Sequence, residues 1–144
     1  MTKKGYLFAV GGSTYVALEL LWRGRSHYSM FLLGGGCFLA IGELGRRTPK
    51  LPGTVRAVIG SGICTAGELL TGMLVNRDYA VWDYRELPGN YRGQICLPFS
   101  LLWVPLSAFA GTLYRFLDGG IVPNTKKVNI DIAKNRWVRY NKNW

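Results

Sequence analysis

A single histidine, His27, and three scattered cysteines, Cys37, Cys64 and Cys96, leave this chain without the makings of a metal centre. A structural zinc shell takes four such ligands at short, matched spacings. Three unpatterned cysteines do not make a disulfide scaffold either. No G-x-x-x-x-G-K-[ST] loop occurs, so the chain carries no phosphate-cradling P-loop, and no cofactor is implied. Acids are scarce, eight Asp+Glu against eighteen Lys+Arg, a net charge of +10 over 144 residues. That imbalance suggests nucleic acid until the rest of the composition is weighed. With 49% hydrophobic residues and 19 Gly the chain is too apolar for a disordered basic tail. Where the charges lie decides the class.

They lie between long apolar runs. Tyr6–Trp22, Tyr28–Leu44, Val55–Val75 and Ile95–Phe116 each reach the length that spans a bilayer, about 17–25 residues, the first two only just. A soluble bundle would show a polar face at helical spacing, and these runs are apolar on nearly every side. The expected architecture is all-α: an integral membrane four-helix bundle over residues 1–117, spans about 6–22, 28–44, 55–75 and 95–116, followed by a basic tail, 118–144. Nucleic-acid binding drops out, because the basic residues track the ends of the runs rather than a groove.

Of the eighteen basic residues, thirteen fall in the N-terminus (Lys3, Lys4), the second loop (Arg46, Arg47, Lys50, Arg56) and the tail. Five fall in the first loop (Arg23, Arg25) and the third (Arg77, Arg85, Arg92). Positive charge stays cytoplasmic, which predicts both termini inside and loops one and three outside, in the inner (plasma) membrane. Lys3-Lys4 before an apolar run also resembles a signal-peptide start. Glu19 inside the run, and three further spans behind it, favour an uncleaved first helix.

Gly34-Gly35-Gly36 in span two and Gly60, Gly62, Gly67 and Gly72 in span three predict close helix–helix approach, which drives association in lipid. Pro98 and Pro105 are expected to kink or open span four. Trp22, Trp82 and Trp103 read as interfacial anchors.

The polar residues inside the spans carry more. A charge near the bilayer centre costs about 2.5–3.5 kcal/mol even on insertion scales, so it needs a partner or a cavity. Glu68 stands eight residues before Asn76, on the order of 12 Å below the outer boundary. With Thr65, Gly72 and Asn76 it forms one small, polar stripe. Span one repeats the pattern with Gly12, Tyr15, Glu19 and Trp22. Both acids point toward the pole of loops one and three. Those loops supply Trp22, Arg23, Ser26 and His27, and Trp82, Asp83, Tyr84, Asn90 and Gln94. Arg23 or Arg25 suits a counter-ion for Glu19 or Glu68, His27 is the one side chain that titrates near neutrality unperturbed, and Asp83 suits a helix cap or a partner for Arg23. The candidate substrate-binding set is Glu19, Trp22, Arg23, Ser26, His27, Glu68, Asn76, Trp82, Asp83, Tyr84, Asn90 and Gln94.

The pattern Gly12-x2-Tyr15-x3-Glu19-x2-Trp22-Arg23-Gly24-x-Ser26-His27-x-Ser29-Met30 resembles a family of small bacterial membrane proteins described as ABC-transporter type IV, CmpB-like. So does Thr65-x2-Glu68-x3-Gly72-x3-Asn76, followed by Trp82-Asp83-Tyr84, Pro88, Asn90 and Gly93-Gln94-Ile95-Cys96. The resemblance covers about residues 5–105. It implies a membrane subunit whose nucleotide chemistry resides in a separate nucleotide-binding subunit. The family usually continues Trp-Asp-Tyr with Ser, where this chain has Arg85; a loop that relied on that hydroxyl must close differently here.

Glu-Leu-Leu recurs at Glu19–Leu21 and Glu68–Leu70, which suggests two related helical hairpins with their acids at one shared site, as in transporters built from parallel repeats. Three functions fit. The first is a transporter or channel subunit, oligomeric because four short spans enclose little, with Glu19, Glu68, Arg23 and His27 in a polar site open to the outside. The second is a membrane enzyme acting on a lipid or amphiphile, with His27 as acid/base, Ser26 or Ser29 as nucleophile and Glu19 or Asp83 as orienter. The third is a non-catalytic scaffold whose polar core only specifies helix pairing. The tail, with Trp137 and Trp144 among its basic residues, suits either an anionic leaflet surface or solvent.

Overall fold

A computed structural model describes residues 2–121. Four helices follow one another: α1 (Lys3–Arg23), α2 (Tyr28–Arg47), α3 (Gly53–Val75) and α4 (Leu97–Phe116), the last running on into a π-helical turn, Leu117–Ile121. No strand occurs among the described residues. The tail beyond, with its membrane-surface reading and Pro123, lies outside them.

Local chemistry sets the ends. The Thr2 hydroxyl accepts from Gly5 N at 3.1 Å and caps α1, and Gly24, at φ 70°, ends it in the left-handed conformation that glycine adopts without strain. His27 caps α2, its ring nitrogen accepting from Ser29 N. Pro98 does not kink α4: it occupies the first turn, where its missing N–H has no helical partner to lose. The helix then continues through Pro105. The chain continues through Gly119 and Gly120 in the π-helical turn.

Among the described residues three helices are long and apolar enough to cross a membrane: Tyr28–Arg47, Gly53–Val75 and Leu97–Gly119. The first helix has the length, 21 residues or about 31 Å, but Lys3, Lys4, Ser13, Thr14, Glu19 and Arg23 lower its hydropathy below theirs. The surface of the bundle is apolar, with Leu21, Val58, Leu70, Leu101 and Phe109 all exposed, while Ser61, Glu68, Asn76, Gln94 and Ser107 are buried. An apolar exterior around a small, polar interior is the arrangement lipid favours, and the chain is a membrane protein.

The helices pack chiefly as α1 on α2 and α3 on α4, with α2 also touching α3 and α4. Lys3 pairs with Asp118 at 2.7 Å, which brings the start of α1 and the end of α4 to one pole. Glycine makes the seams. A Cβ at Gly11 would collide with Phe38 and lie 3.0 Å from the Gly34 carbonyl, and one at Gly35 would meet the Phe8 ring at 2.8 Å. Gly60 meets Ser107 at 2.8 Å in the same sense, next to the Ser61 hydroxyl donating to the Ser100 carbonyl at 2.6 Å. Gly36 and Gly62 face open space instead, so two of the expected close approaches are absent.

Gly11→Ala is expected to destabilise the detergent-solubilised protein by about 1–3 kcal/mol, the usual cost of forcing atoms into a filled contact. Gly36→Ala is expected to be neutral or slightly stabilising, since it exchanges glycine for a better helix former in open space. Thermal unfolding of the two variants measures both.

Candidate functional site

α1 and α4 share no extensive backbone contact, and at the pole of loops one and three a cavity of about 390 Å³ opens between them. Its wall on α1 is the stripe Tyr15, Leu18, Glu19, Trp22 and Arg23, at helical spacing. On α4 it is Phe99, Leu102, Trp103 and Leu106, again one helical face; α3 contributes Glu68 and the third loop contributes Tyr84. Side chains, not backbones, bridge the two outer helices. Tyr15 and Trp103 stack at 5.4 Å, and Trp22 meets Phe99 edge-on at 6.5 Å.

The charges are arranged unequally. Arg23 donates to Glu19 one turn earlier on α1 and, from its other terminal nitrogen, to the Val81 carbonyl at 2.6 Å. The second Glu19 oxygen accepts from the Ser26 hydroxyl at 2.5 Å. Glu19 is therefore neutralised and Arg23 ties the end of α1 to loop three. Glu68 is only 4% exposed. One of its oxygens accepts from the Tyr15 hydroxyl at 3.1 Å, and the other is buried with no partner, as are Arg23 Nε and Trp103 Nε1. Tyr84 covers the loop end of the cavity, stacked on Phe99 at 4.9 Å. Burial, and then the negative charge of Glu68, push its phenol pKa up, so it stays a neutral wall.

The other sequence candidates lie outside this cavity. Asn76, Trp82 and Gln94 form a buried knot that organises loop three. The Asn76 amide donates to the Trp82 carbonyl at 2.7 Å and to Gln94 Oε1 at 3.0 Å, and its oxygen accepts from Val81 N at 2.8 Å and Trp82 N at 3.3 Å. Gln94 Nε2 donates to the Asn76 carbonyl at 2.8 Å, and the Trp82 indole donates to the Gln94 carbonyl at 2.9 Å. Their polar atoms are spent internally. Asn90 holds the turn through the Arg85 and Leu87 carbonyls, both at 3.0 Å. Asp83 neither caps a helix nor accepts from Arg23. It pairs with Arg85 at 2.6 Å, which holds its carboxyl below the usual range, and Arg85 in turn lies 4.2 Å over the Tyr79 ring. That clasp is how the loop closes with arginine at this position.

Ser26 and His27 make no dyad. Ser26 serves Glu19, while His27 Nδ1 bonds Ser29 Oγ at 2.8 Å at the start of α2, and the ring packs on Tyr28 at 4.1 Å. Of the two candidate serines, Ser29 meets His27 and Ser26 meets the candidate acid Glu19, so the candidates form two separate pairs rather than one relay. Two tryptophans depart from an anchor role: Trp82 is 5% exposed in the loop knot, and Trp103 lines the cavity from within α4. Tyr15, Leu18, Phe99, Leu102, Trp103 and Leu106 are the cavity residues that the candidate set omits. The stripe Tyr15–Glu19–Trp22 and the spacing Phe99–Trp103–Leu106 are the signals that could have found them.

Residues 8–133 match the family described as "Putative ABC-transporter type IV". The chain belongs to that family. The match runs past the span of residues 5–105 read from the motifs and takes in most of the tail. The chain matches no curated protein and no solved structure.

Asn76→Ala is expected to cost on the order of 3 kcal/mol of stability, since several buried groups of the loop knot lose their partner at once and each costs about 1–3. Asn90→Ala, in the exposed turn, is expected to cost about 1 kcal/mol or less. Thermal unfolding of both proteins reads the difference.

Proposed function

We propose that this protein is the membrane subunit of a transport system, and that the cavity bounded by Glu19, Arg23 and Glu68 is where it handles its solute. The observation that carries this reading is Glu68: a carboxylate held in the apolar part of the bundle, 4% exposed, with one oxygen left without a partner beside a cavity. An ionisable group at such depth is retained for function far more often than for stability. Membership of a family described as ABC-transporter type IV supports the transport class. The chemistry of ATP then falls to a separate nucleotide-binding subunit, since this chain has no P-loop.

In this reading residues 1–117 form four spans in the inner (plasma) membrane of a bacterium, α1 among them despite its lower hydropathy, because pairing Glu19 with Arg23 offsets part of the insertion cost. Both termini face the cytoplasm with the basic tail 118–144, by the excess of Lys and Arg on that side; the Lys3–Asp118 pair supports a common pole for the two ends. The cavity then opens toward the extracytoplasmic side. The stronger packing of α1 on α2 and of α3 on α4 fits two related helical hairpins. Four short helices offer little room for a pathway, so in this reading the working unit is a homo-oligomer or a larger complex.

Two measurements test this. In proteoliposomes of the full chain, a panel of inorganic ions and small organic solutes is screened for flux, and Glu68→Gln is expected to abolish whatever flux the native chain supports; no flux from the native protein, or an unchanged flux in the variant, overturns the reading. For topology, Glu86→Cys in loop three is expected to react with an impermeant maleimide on intact cells, and Lys50→Cys in loop two only after permeabilisation. The reverse pattern would place the cavity at the other face.

A further inference from the structure

The cavity is unusual in what surrounds its uncompensated charge. Five of its lining side chains are aromatic: Tyr15, Trp22, Tyr84, Phe99 and Trp103. They come from α1, α4 and loop three, with ring contacts of 4.9–6.5 Å among them. Aromatic faces carry the negative part of the ring quadrupole, and a box of them around an acid is the arrangement that holds an organic cation. The acid is Glu68, 96% removed from solvent by its 4% exposure, with one oxygen free of any partner. Arg23 stands in the same cavity, but Glu19 cancels it through a direct pair. The acidic side chain of the cavity left without an ionic partner is Glu68. An anionic ligand would set a second negative group beside it, which a low-dielectric site penalises heavily. A cation supplies the missing counter-charge.

The mouth gives the rest of the ligand. Its rim is Leu18, 43% exposed, Leu102, 49%, and Trp22, 78%. These face outward from the gap between α1 and α4, which the backbones of those helices leave open. An entirely hydrated ion gains nothing from such a rim, whereas an apolar body carrying a charged centre does. At about 390 Å³ the space falls within the range of small-molecule sites, about 300–1,000 Å³.

We propose that the cavity between α1 and α4 binds a lipophilic organic cation, its charged centre held by Glu68 and the ring faces of Tyr15, Tyr84 and Trp103, its apolar part lying along Leu18, Trp22 and Leu102. This rests on reading the cavity as the transport site, and it names the class of solute that site takes.

The test is equilibrium binding of tetraphenylphosphonium to the full-length protein in lipid nanodiscs, with tetraphenylborate, an anion of matching shape, as the control. The native chain is expected to bind the cation saturably and to bind the anion at least tenfold more weakly. Glu68→Gln keeps an acceptor for Tyr15 and the side-chain volume, and is expected to weaken cation binding at least tenfold. Trp22→Leu, on the exposed rim where folding is not at stake, is expected to weaken it several-fold. Equal binding of cation and anion, no saturable cation binding, or cation binding unchanged in Glu68→Gln overturns the inference. Flux in proteoliposomes is read separately. Glu68-dependent flux of some other solute without cation binding overturns this inference alone, and Glu68-dependent cation binding without any flux upholds it and overturns the transport reading.

Discussion

The pairing of Arg23 with Glu19 is the contact on which the rest of this structure depends. An acid and a base one turn apart on the same helix remove each other's charge where water is scarce. The same guanidinium reaches the Val81 carbonyl, which fastens loop three to the end of α1. Ser26 completes the Glu19 shell. Because both terminal nitrogens of Arg23 are committed to Glu19 and Val81, it makes no ion pair with Glu68. The neighbouring acid therefore keeps a tyrosine as its hydrogen-bond partner and no basic side chain beside it. Moving Arg23 to Glu68 would give a bundle with the same net charge and no such site.

The cavity itself follows from where the small residues are. Gly11 and Gly34 let α1 close on α2, and Gly60 lets α3 close on α4. No comparable run of small residues faces the gap between α1 and α4. Large rings stand there instead, and rings at 5.4 and 6.5 Å bridge a space without filling it. In lipid, where the hydrophobic effect no longer presses helices together, a seam without close backbone approach has little to shut it. The open seam between α1 and α4 thus follows from where the glycines are placed, at the level of single residues.

Much of this was legible in the sequence. Apolar run lengths mark the four helices, and the spacing of Tyr15, Glu19 and Trp22 marks the face of α1 that meets the cavity. Three kinds of residue misled. Asn76 and Gln94 read as site residues because they are polar next to apolar spans, yet each spends its amide on the other. Whether a buried polar group is satisfied is a tertiary property, and no local pattern reports it. Trp103 read as an anchor because tryptophan favours interfaces; its position in α4 relative to Tyr15 depends on how two distant helices dock. Ser26 and His27 are neighbours in the chain that face different partners, as successive residues at a helix start do. The omissions and the excess candidates have one source. Sequence locates polar residues along an axis, while their role is set by what stands opposite.

That distinction bears on loop three. Its knot of Asn76, Trp82 and Gln94 lies behind the cavity and contributes no atom to its lining, yet it fixes where the Val81 carbonyl and Tyr84 stand. Gln94 packs so closely on Gly72 that a Cβ there would collide with it, which couples the loop to the last turns of α3. The roof over Glu68 is thereby held by buried hydrogen bonds on one side and by Arg23 on the other. Around the cavity α1 and α4 meet through ring contacts, while the Lys3–Asp118 pair and the packing of Leu7 with Tyr114 lie at the other pole. Breaking a buried amide network costs far more than sliding two aromatic faces apart. For the transport reading, the path of least resistance into the cavity runs sideways between α1 and α4 rather than down through the loop.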